Sequence, residues 1–427
     1  RVVSLRVEPK VPEPTFGIGP RCDEDHEGQK VGELGERGED LDGTEARGTH
    51  AGVFQPPDVF LGEGAPERIM KEEHLHARLR PFHEDRVQGV GHAAGLAVVH
   101  LHRDRLVRVA QVAVLPAFAH AKKNSELTAL VSDDETKLKK LGRKYRVPHL
   151  AGYNEYDSLL RSRAVDAVYI ALPNHLHRDY AIRAADAGVH VLCEKPLAVT
   201  TEDCEAMIEA SDRNRVRLMT AYRLHFDPSN LTAIETVRSG KIGEPRFFSS
   251  VFSLNVEEGN IRLNPIAQGG GTLYDIGIYC INAARYLFRS EPEAVFAWSA
   301  NNGEKRFQDA DEMTAAILRF PGERLASFTA SFGAASTGTY RIVGTKGDLR
   351  VDGAYEYAEP MTHTLTVNDK TRTRKFPKRD QFAPELIYFS DCVRIGRDPE
   401  PSGRPCGIHG RVRLRARSRP STKPSIV

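Results

Sequence analysis

The sequence of 427 residues lacks three features that would each mark a class of protein. It has no apolar run close to the roughly 18 residues that a membrane-spanning helix needs. Its formal net charge is only +2, which gives no overall field to attract nucleic acid. Its six cysteines stand singly, without a CxxC pair, and indicate neither a disulfide framework nor a zinc site. We therefore expect a cytoplasmic protein in a reducing compartment, with no membrane, nucleic-acid or metal partner.

Both ends of the chain lack residue types that are common in its middle. Residues 1–108 contain no tyrosine, tryptophan or asparagine. They show no sustained helical or strand periodicity and few large apolar side chains, so we expect disorder or weak structure there. Residues 404–427 are rich in arginine and broken by proline. We interpret them as a solvated basic tail, with nucleic-acid binding through the arginine run as an alternative.

The first part of the middle, residues 109–228, alternates apolar runs with amphipathic segments. Strands are predicted at 126–132, 165–173, 189–194 and 217–223, and helices at 133–145, 177–188 and 201–214. Buried strands that alternate with helices of this length are typical of parallel βαβ units. We predict a doubly wound, Rossmann-like α/β domain.

The rhythm changes after about residue 240, where strand patterns follow one another through short turns. These strands are predicted at 245–256, 294–301, 314–320, 324–333, 339–351 and 363–369, with one helix at 272–288. Consecutive strands joined by short turns are typical of antiparallel pairing. We predict that residues 229–403 form an α+β domain with a large, open, mostly antiparallel sheet.

Polar residues follow three successive strands of the first domain. Pro173-Asn174 ends one strand, Glu194-Lys195-Pro196 the next, and Tyr222-Arg223 the one after. The carboxyl ends of parallel strands meet at one edge, where doubly wound proteins bind ligands. We expect these residues to line a cleft that faces the second domain. The alternative for Lys195 is an ordinary solvated strand end.

At these positions the sequence resembles a known family. The motifs CEKP, LPNHLHRDYAIRAADAGVHV and GGGTLYDIGIYCINAARYL occur in the order and spacing of the Gfo/Idh/MocA oxidoreductases, typified by glucose-fructose oxidoreductase and inositol dehydrogenase. The resemblance covers about residues 109–403. It implies a dinucleotide-binding domain followed by a sheet domain, and relatives commonly associate as dimers or tetramers through the open sheet.

The resemblance also implies catalytic residues. Lys195 of the EKP motif would lie beside the nicotinamide and the substrate hydroxyl, Asp275 would orient the substrate, and Tyr279 would act as proton acceptor. Asp275 and Tyr279 are four residues apart and would share one face of a helix. A lysine cation beside a tyrosine favours the deprotonated phenol, which suits proton transfer. The alternative for Tyr279 is an ordinary core tyrosine.

A second group of residues is implied for the cofactor. Ser132 ends the strand at which NAD-preferring folds usually place an acid, and Lys137 matches a position that accompanies serine in binding a 2′-phosphate. We therefore favour NADP over NAD, although Asp133 and Asp134 argue mildly for NAD. The residues implied to contact the cofactor are Ser132, Lys137, Pro173, Asn174, His177, Glu194, Lys195, Tyr222 and Arg223.

One family feature is missing from the sequence. The GxGxxA phosphate turn would place glycines at 105 and 107, which are Arg105 and Val107 here. Side chains at these positions prevent the close backbone approach to a pyrophosphate. Two explanations stay open: LAVVHL (96–101) serves as a substitute first strand after a real extension, or the reading frame is wrong before about Ala110 and after Gly403.

We predict an NAD(P)-dependent oxidoreductase that transfers a hydride between a sugar or polyol carbinol carbon and nicotinamide. The alternative is a product that no longer holds a cofactor and keeps the sheet domain as a ligand-binding or dimerisation module. Cofactor affinity distinguishes the two hypotheses.

Overall fold

A computed structural model describes residues 109–402 together with two earlier strands, Val2–Arg6 and Ala94–His100. The strands are β1 Val2–Arg6, β2 Ala94–His100, β3 Ser125–Val131, β4 His149–Ala151, β5 Ala167–Ala171, β6 His190–Glu194, β7 Leu218–Ala221, β8 Pro245–Ser253, β9 Ala294–Ala300, β10 Met313–Phe320, β11 Arg324–Ser331, β12 Thr337–Gly344, β13 Gly347–Asp352, β14 Met361–Val367 and β15 Lys370–Phe376. The helices are α1 Leu115–Ala117, α2 Glu135–Tyr145, α3 Tyr156–Arg161, α4 His177–Asp186, α5 Thr201–Asn214, α6 Pro228–Arg238, α7 Ile278–Phe288 and α8 Phe382–Ile395. Two π-helical turns, Ala110–Val114 and Leu273–Gly277, lead into α1 and α7.

The first sheet is parallel throughout, with strand order β4-β3-β2-β5-β6-β7. Its strands are apolar over their length because helices cover both faces, and β5 is buried at all five positions. Helix α5 begins where Thr200 accepts a hydrogen bond from the Asp203 amide at 3.0 Å. The predicted doubly wound architecture is confirmed.

Strand β2 occupies the central position of this sheet, between β3 and β5. Leu96 pairs with Leu127 on one side and with Ala167 on the other, and its side chain is fully buried. This strand lies before the domain start predicted at residue 109, so the range predicted as disordered contains one of the strands of the domain. The first strand of a doubly wound sheet lies at this central position. The position of β2 therefore agrees with the hypothesis that residues 96–101 serve as a substitute first strand. The other residues of the amino-terminal range, 1, 7–93 and 101–108, and the predicted basic tail, 404–427, lie outside the described part.

The second sheet has nine strands in the described part, in the order β1-β9-β10-β11-β8-β12-β13-β14-β15. Only β8 and β11 pair in parallel among these strands, so the predicted mostly antiparallel sheet is confirmed. One face packs on α7 and the π-helical turn before it, where Ile276, Cys280 and Ala284 share a buried cluster with Phe248 and Phe328. The other face is not covered by an element that the structure describes.

Helix α8 belongs by sequence to the range predicted for the second domain, yet it packs on the first. Phe382, Leu386 and Phe389 share a buried cluster with Leu96 and Tyr169. Buried hydrogen bonds join the same two parts, including Ser125 to Ser390 at 2.7 Å. The range 229–403 therefore also supplies a wall of the first domain's core.

Candidate active site

A cleft of about 610 Å³ lies at the carboxyl ends of β5, β6 and β7. Its other wall comes from the loop 254–271, the start of α7 and the turn after β13. The polar side chains that line it are Asn174, Glu194, Lys195, Arg223, Arg262, Asn264, Gln268, Asp275, Tyr279, Tyr355, Glu356 and Tyr357. The polar strand ends predicted from the sequence thus converge where a doubly wound fold binds its ligand.

Lys195, Asp275 and Arg262 form a nearly buried ionic group in this cleft. The Lys195 ammonium donates to Asp275 Oδ1 at 2.9 Å and to the Asp275 carbonyl at 2.8 Å. The Arg262 Nε donates to Asp275 Oδ2 at 2.5 Å. Burial opposes ionisation of Asp275, but the charges of Arg262 and Lys195 outweigh it and hold the pKa of Asp275 well below its usual value.

The same contacts fix the charge of the lysine. Burial alone would lower the pKa of Lys195, whereas Asp275 and then Tyr279 raise it above its usual value. The lysine is therefore a cation with a carboxylate on one side and an aromatic ring on the other. Its ammonium lies over the Tyr279 ring, 4.8 Å from the centroid.

Tyr279 sits on the first turn of α7 and lines the cleft. Its ring packs edge-on against Phe252, with centroids 5.9 Å apart, and the Arg223 guanidinium lies 5.4 Å from its centroid. No described residue forms a hydrogen bond with its hydroxyl. A phenol held by its ring between two cations, with its oxygen not engaged by the described protein groups, suits contact with a substrate.

Two further carboxyl groups belong to this region, Glu194 in the cleft lining and Glu385 in the core. Glu194 accepts a hydrogen bond from the Tyr169 hydroxyl at 2.6 Å, and burial raises its pKa despite that bond. Glu385 on α8 is fully buried, and neither carboxyl oxygen has a hydrogen-bond partner among the described residues. Burial, and then the nearby Glu194, raise the pKa of Glu385 well above its usual value, which favours the protonated acid.

Five of the nine residues implied for the cofactor line the cleft: Pro173, Asn174, Glu194, Lys195 and Arg223. His177 lies behind the cleft wall instead. It is fully buried, and its ring nitrogens are 2.9 Å from the Pro196 carbonyl and 2.8 Å from the Leu172 carbonyl. Burial lowers the pKa of His177. Through these two contacts His177 links the segments that follow β5 and β6, so its role is structural.

Tyr222 also differs from its implied place, since its side chain is 3% exposed and does not line the cleft. Ser132 follows the end of β3, and Lys137 lies in the first turn of α2. The Ser132 hydroxyl accepts from the Asp134 amide at 3.1 Å, and the Lys137 ammonium is 3.7 Å from the Asp134 carboxylate. A 2′-phosphate at this strand end would compete with Asp134 for the lysine.

The cleft also contains residues that sequence reasoning missed. Arg262, Gln268, Tyr355 and Tyr357 come from loops of the second domain, where no periodic pattern marks them. Arg262 and Gln268 had a signal, because both precede the GGG motif in NIRLNPIAQGGG. The Arg262 side chain completes the ionic group around Asp275.

Asn174 and Gly269 contact each other across the cleft. The Asn174 amide donates to the Gly269 carbonyl at 2.7 Å, which ties the first domain to the second across the cleft. A Cβ at Gly269 would lie 2.4 Å from the Asn174 side chain, and φ there is +82°, so glycine is required. Residues 101–108, where the phosphate turn would be, lie outside the described part.

The described helices include none long and apolar enough to cross a membrane.

Comparison with known proteins gives related enzymes over both domains. Residues 108–222 match the profile of an oxidoreductase family with an NAD-binding Rossmann fold, and residues 230–350 match the Gfo/Idh/MocA C-terminal domain. An uncharacterized oxidoreductase of Rhizobium meliloti is 35% identical over 66% of this chain and 85% of its own length. D-xylose 1-dehydrogenase [NADP(+)] of Haloarcula marismortui is 34% identical over 67% of this chain and 80% of its own length. The crystal structure of aldose-aldose oxidoreductase from Caulobacter crescentus, complexed with glycerol, matches with a TM-score of 0.70 and 34% identity, over 75% of this chain and 95% of that one.

Proposed function

The chain belongs to the Gfo/Idh/MocA family of oxidoreductases, and from this premise we propose that it oxidises or reduces a carbinol carbon of a sugar or polyol with NAD(P) as cofactor. The observation that carries the proposal is the convergence of Lys195, Asp275 and Tyr279 in the cleft beside Asn174. The relatives named as a xylose dehydrogenase and an aldose oxidoreductase support the substrate class.

Bound nicotinamide would accept or supply the hydride at the carbinol carbon. The residues of the chain handle the proton. Tyr279 would take the hydroxyl proton as the carbonyl forms, and the Lys195 cation would stabilise the negative charge that develops on the oxygens. Because both oxygens of Asp275 already accept from cations, its task is to hold Lys195 in place as much as to orient substrate.

We propose NADP as the favoured cofactor, on the basis of Ser132 after β3 and Lys137 in the first turn of α2. The hydroxyl and the ammonium are the groups that a 2′-phosphate would use, and no carboxylate ends the strand itself. Asp134 draws the Lys137 ammonium to 3.7 Å and would oppose this preference.

The test is titration of the purified chain with NADPH and with NADH, followed by a panel of aldoses and polyols. We expect tighter binding of NADPH and turnover of at least one sugar. Lys195→Ala is the matched control, which should bind cofactor and lose turnover. Turnover that survives in Lys195→Ala would contradict the proposed site.

A second candidate function has its own observation. The sequence has no glycine between His100 and Val109, where the family's phosphate turn would be. A chain that folds but cannot hold the pyrophosphate would be a binding or dimerisation module. Failure of the folded chain to bind either cofactor would favour this candidate.

We also propose that the open face of the second sheet binds a second copy of the chain. Six large apolar side chains on β8 to β11 are between 41% and 48% exposed: Phe247, Val251, Phe296, Trp298, Ile317 and Leu325. Four of them, Val251, Phe296, Trp298 and Ile317, line a depression of about 370 Å³. Apolar patches of this kind on a sheet usually mark an association surface.

Light scattering of the purified chain tests this association. The wild type should be a dimer or tetramer, and Trp298→Glu should dissociate it. Leu231→Glu, at a similarly exposed position on α6, is the control and should leave the assembly intact. A monomeric wild type would contradict the proposal.

A cytoplasmic location stays a proposal. The four cysteines that the structure describes, Cys193, Cys204, Cys280 and Cys392, are buried and form no disulfide bond with one another, which suits a reducing compartment. Fractionation of cells that produce the chain would test the location.

A further inference from the structure

A second, much smaller cavity lies directly behind the tyrosine of the candidate active site. Its volume is about 40 Å³, and it lies between α6, α7 and the inner face of the second sheet. Tyr279 and Tyr355 line both this cavity and the cleft. The two rings therefore form a wall with the cleft on one side and the cavity on the other.

Two amide side chains line the cavity with unpaired polar atoms. Asn230 Nδ2, on α6, and Asn282 Oδ1, on α7, are both buried and have no hydrogen-bond partner among the described residues. The first atom is a donor and the second an acceptor. A buried polar atom without a partner is costly, so native proteins usually supply one.

His225 also lines the cavity. The Asn282 Nδ2 lies 3.5 Å from its Nε2. Burial, and then the charge of Arg285, lower the pKa of His225 to about 3, so the ring is neutral and Nε2 can accept from the amide. In this orientation of the Asn282 amide, Oδ1 is the atom that needs a donor.

We propose that the cavity binds an ordered water molecule, which accepts from Asn230 Nδ2 and donates to Asn282 Oδ1, and that Asn282 is thereby a positioning residue for Tyr279. The cavity volume of about 40 Å³ is sufficient, since about 15 Å³ of such volume already holds one water molecule. One molecule satisfies both unpaired atoms at once, because water is both a donor and an acceptor.

The water site does not depend on the proposed function, whereas the positioning role of Asn282 rests on it. Asn282 follows Tyr279 by three residues on α7 and so lies on the adjacent part of the same helical face. The water joins α7 to α6 beneath the Tyr279 ring. It holds the helix that carries the tyrosine at a fixed depth against the cleft, while touching neither substrate nor cofactor.

A high-resolution crystal structure of the whole chain tests the water site without any need for turnover. We expect a well-ordered solvent peak within hydrogen-bond distance of both Asn230 Nδ2 and Asn282 Oδ1. Direct contact between the two amides, or a cavity without solvent density, would overturn the proposal. This result also stands if the chain proves to have no dehydrogenase activity.

Two substitutions at one position test the positioning role. Asn282→Leu has a similar volume but no acceptor, whereas Asn282→Ser keeps an oxygen that can accept from water. We expect kcat to fall about tenfold or more in Asn282→Leu, because small displacements of a catalytic group are costly. KM and NADPH affinity should stay within about twofold, and Asn282→Ser should recover most of the loss.

Either of two kinetic results would contradict the positioning role. The first is a wild-type kcat in Asn282→Leu. The second is an equal loss of kcat in Asn282→Ser and Asn282→Leu, which would show that the site depends on side-chain packing and not on the water. Absence of turnover in the wild type would instead refute the proposed function, and the solvent peak would then decide the water site by itself.

Discussion

The ammonium of Lys195 lies over the face of the Tyr279 ring, 4.8 Å from its centroid. The ring of the tyrosine and its hydroxyl therefore have separable tasks. The ring contacts the lysine cation, which Asp275 holds from the other side, and the hydroxyl is available to the substrate. A substitution that removes only the hydroxyl separates these tasks.

Tyr279→Phe should keep the contact with Lys195 and lose the proton acceptor. We expect kcat to fall by about 100-fold or more, which is the usual effect of removing a general acid or base. NADPH affinity and thermal stability should change little, because the ring remains. Steady-state kinetics and fluorescence titration measure both, and a large loss of cofactor affinity would contradict this division of tasks.

Lys137 should strengthen the binding of NADPH and have no effect on the binding of NADH. In Lys137→Ala, the dissociation constant for NADPH should rise by about tenfold or more, as expected for the loss of a charged group bound to phosphate. The dissociation constant for NADH should not change. Lys139→Ala, on the same helix and paired with Glu135 at 2.5 Å, is the control. Equal weakening of NADPH and NADH would mean that Lys137 does not contact the 2′-phosphate.

Glu385 should make stability depend on pH. Its pKa in the folded state is raised above the usual 4.5, so the folded chain binds this proton more tightly than the unfolded chain does. The contribution to stability is complete below about pH 4.5 and is lost as the pH rises toward the raised pKa. Glu385→Gln imitates the protonated acid, so its Tm relative to wild type should increase with pH.

Thermal unfolding between pH 5 and pH 9 measures this difference. Glu205→Gln, at an exposed position on α5, serves as the control and should show a constant offset. An offset that is also constant for Glu385→Gln would mean that Glu385 gains a partner in solution and ionises normally.

Leu96 tests whether β2 belongs to the fold. Its side chain is fully buried at the centre of the first sheet. Leu96→Ala should lower the free energy of unfolding by about 2–5 kcal/mol, the range for large-to-small changes in a core. Leu231→Ala, 51% exposed on α6, should change it little. Urea denaturation measures both, and equal small effects would place residues 94–100 outside the folded domain.

The sequence predicted the strands and helices that have a regular apolar period. Helix α5 was predicted at residues 201–214 and is found there, because a Thr cap and four buried side chains mark it. Strand β15 was not predicted, since its residues Lys370 to Lys375 are all exposed and polar. Helix α8 was also missed, although it supplies part of the first domain's core.

The candidate site was predictable only where residues follow strands or match a motif. Lys195, Asp275 and Tyr279 come together as the resemblance implied. The burial of His177 and Glu385 could not be predicted, because it depends on packing between segments far apart in the sequence. The water-sized cavity behind Tyr279 has no sequence signal, since it forms between side chains of separate elements.

The packing of α8 against the first domain has a consequence for how the chain folds during translation. The core around Tyr169 is closed by Leu96 from β2 and by Phe389 from α8, which are nearly 300 residues apart. The ribosome must therefore release almost the whole described chain before this core can be complete. Until then the nascent first domain exposes an apolar surface, which makes it a natural substrate for chaperones that act during synthesis.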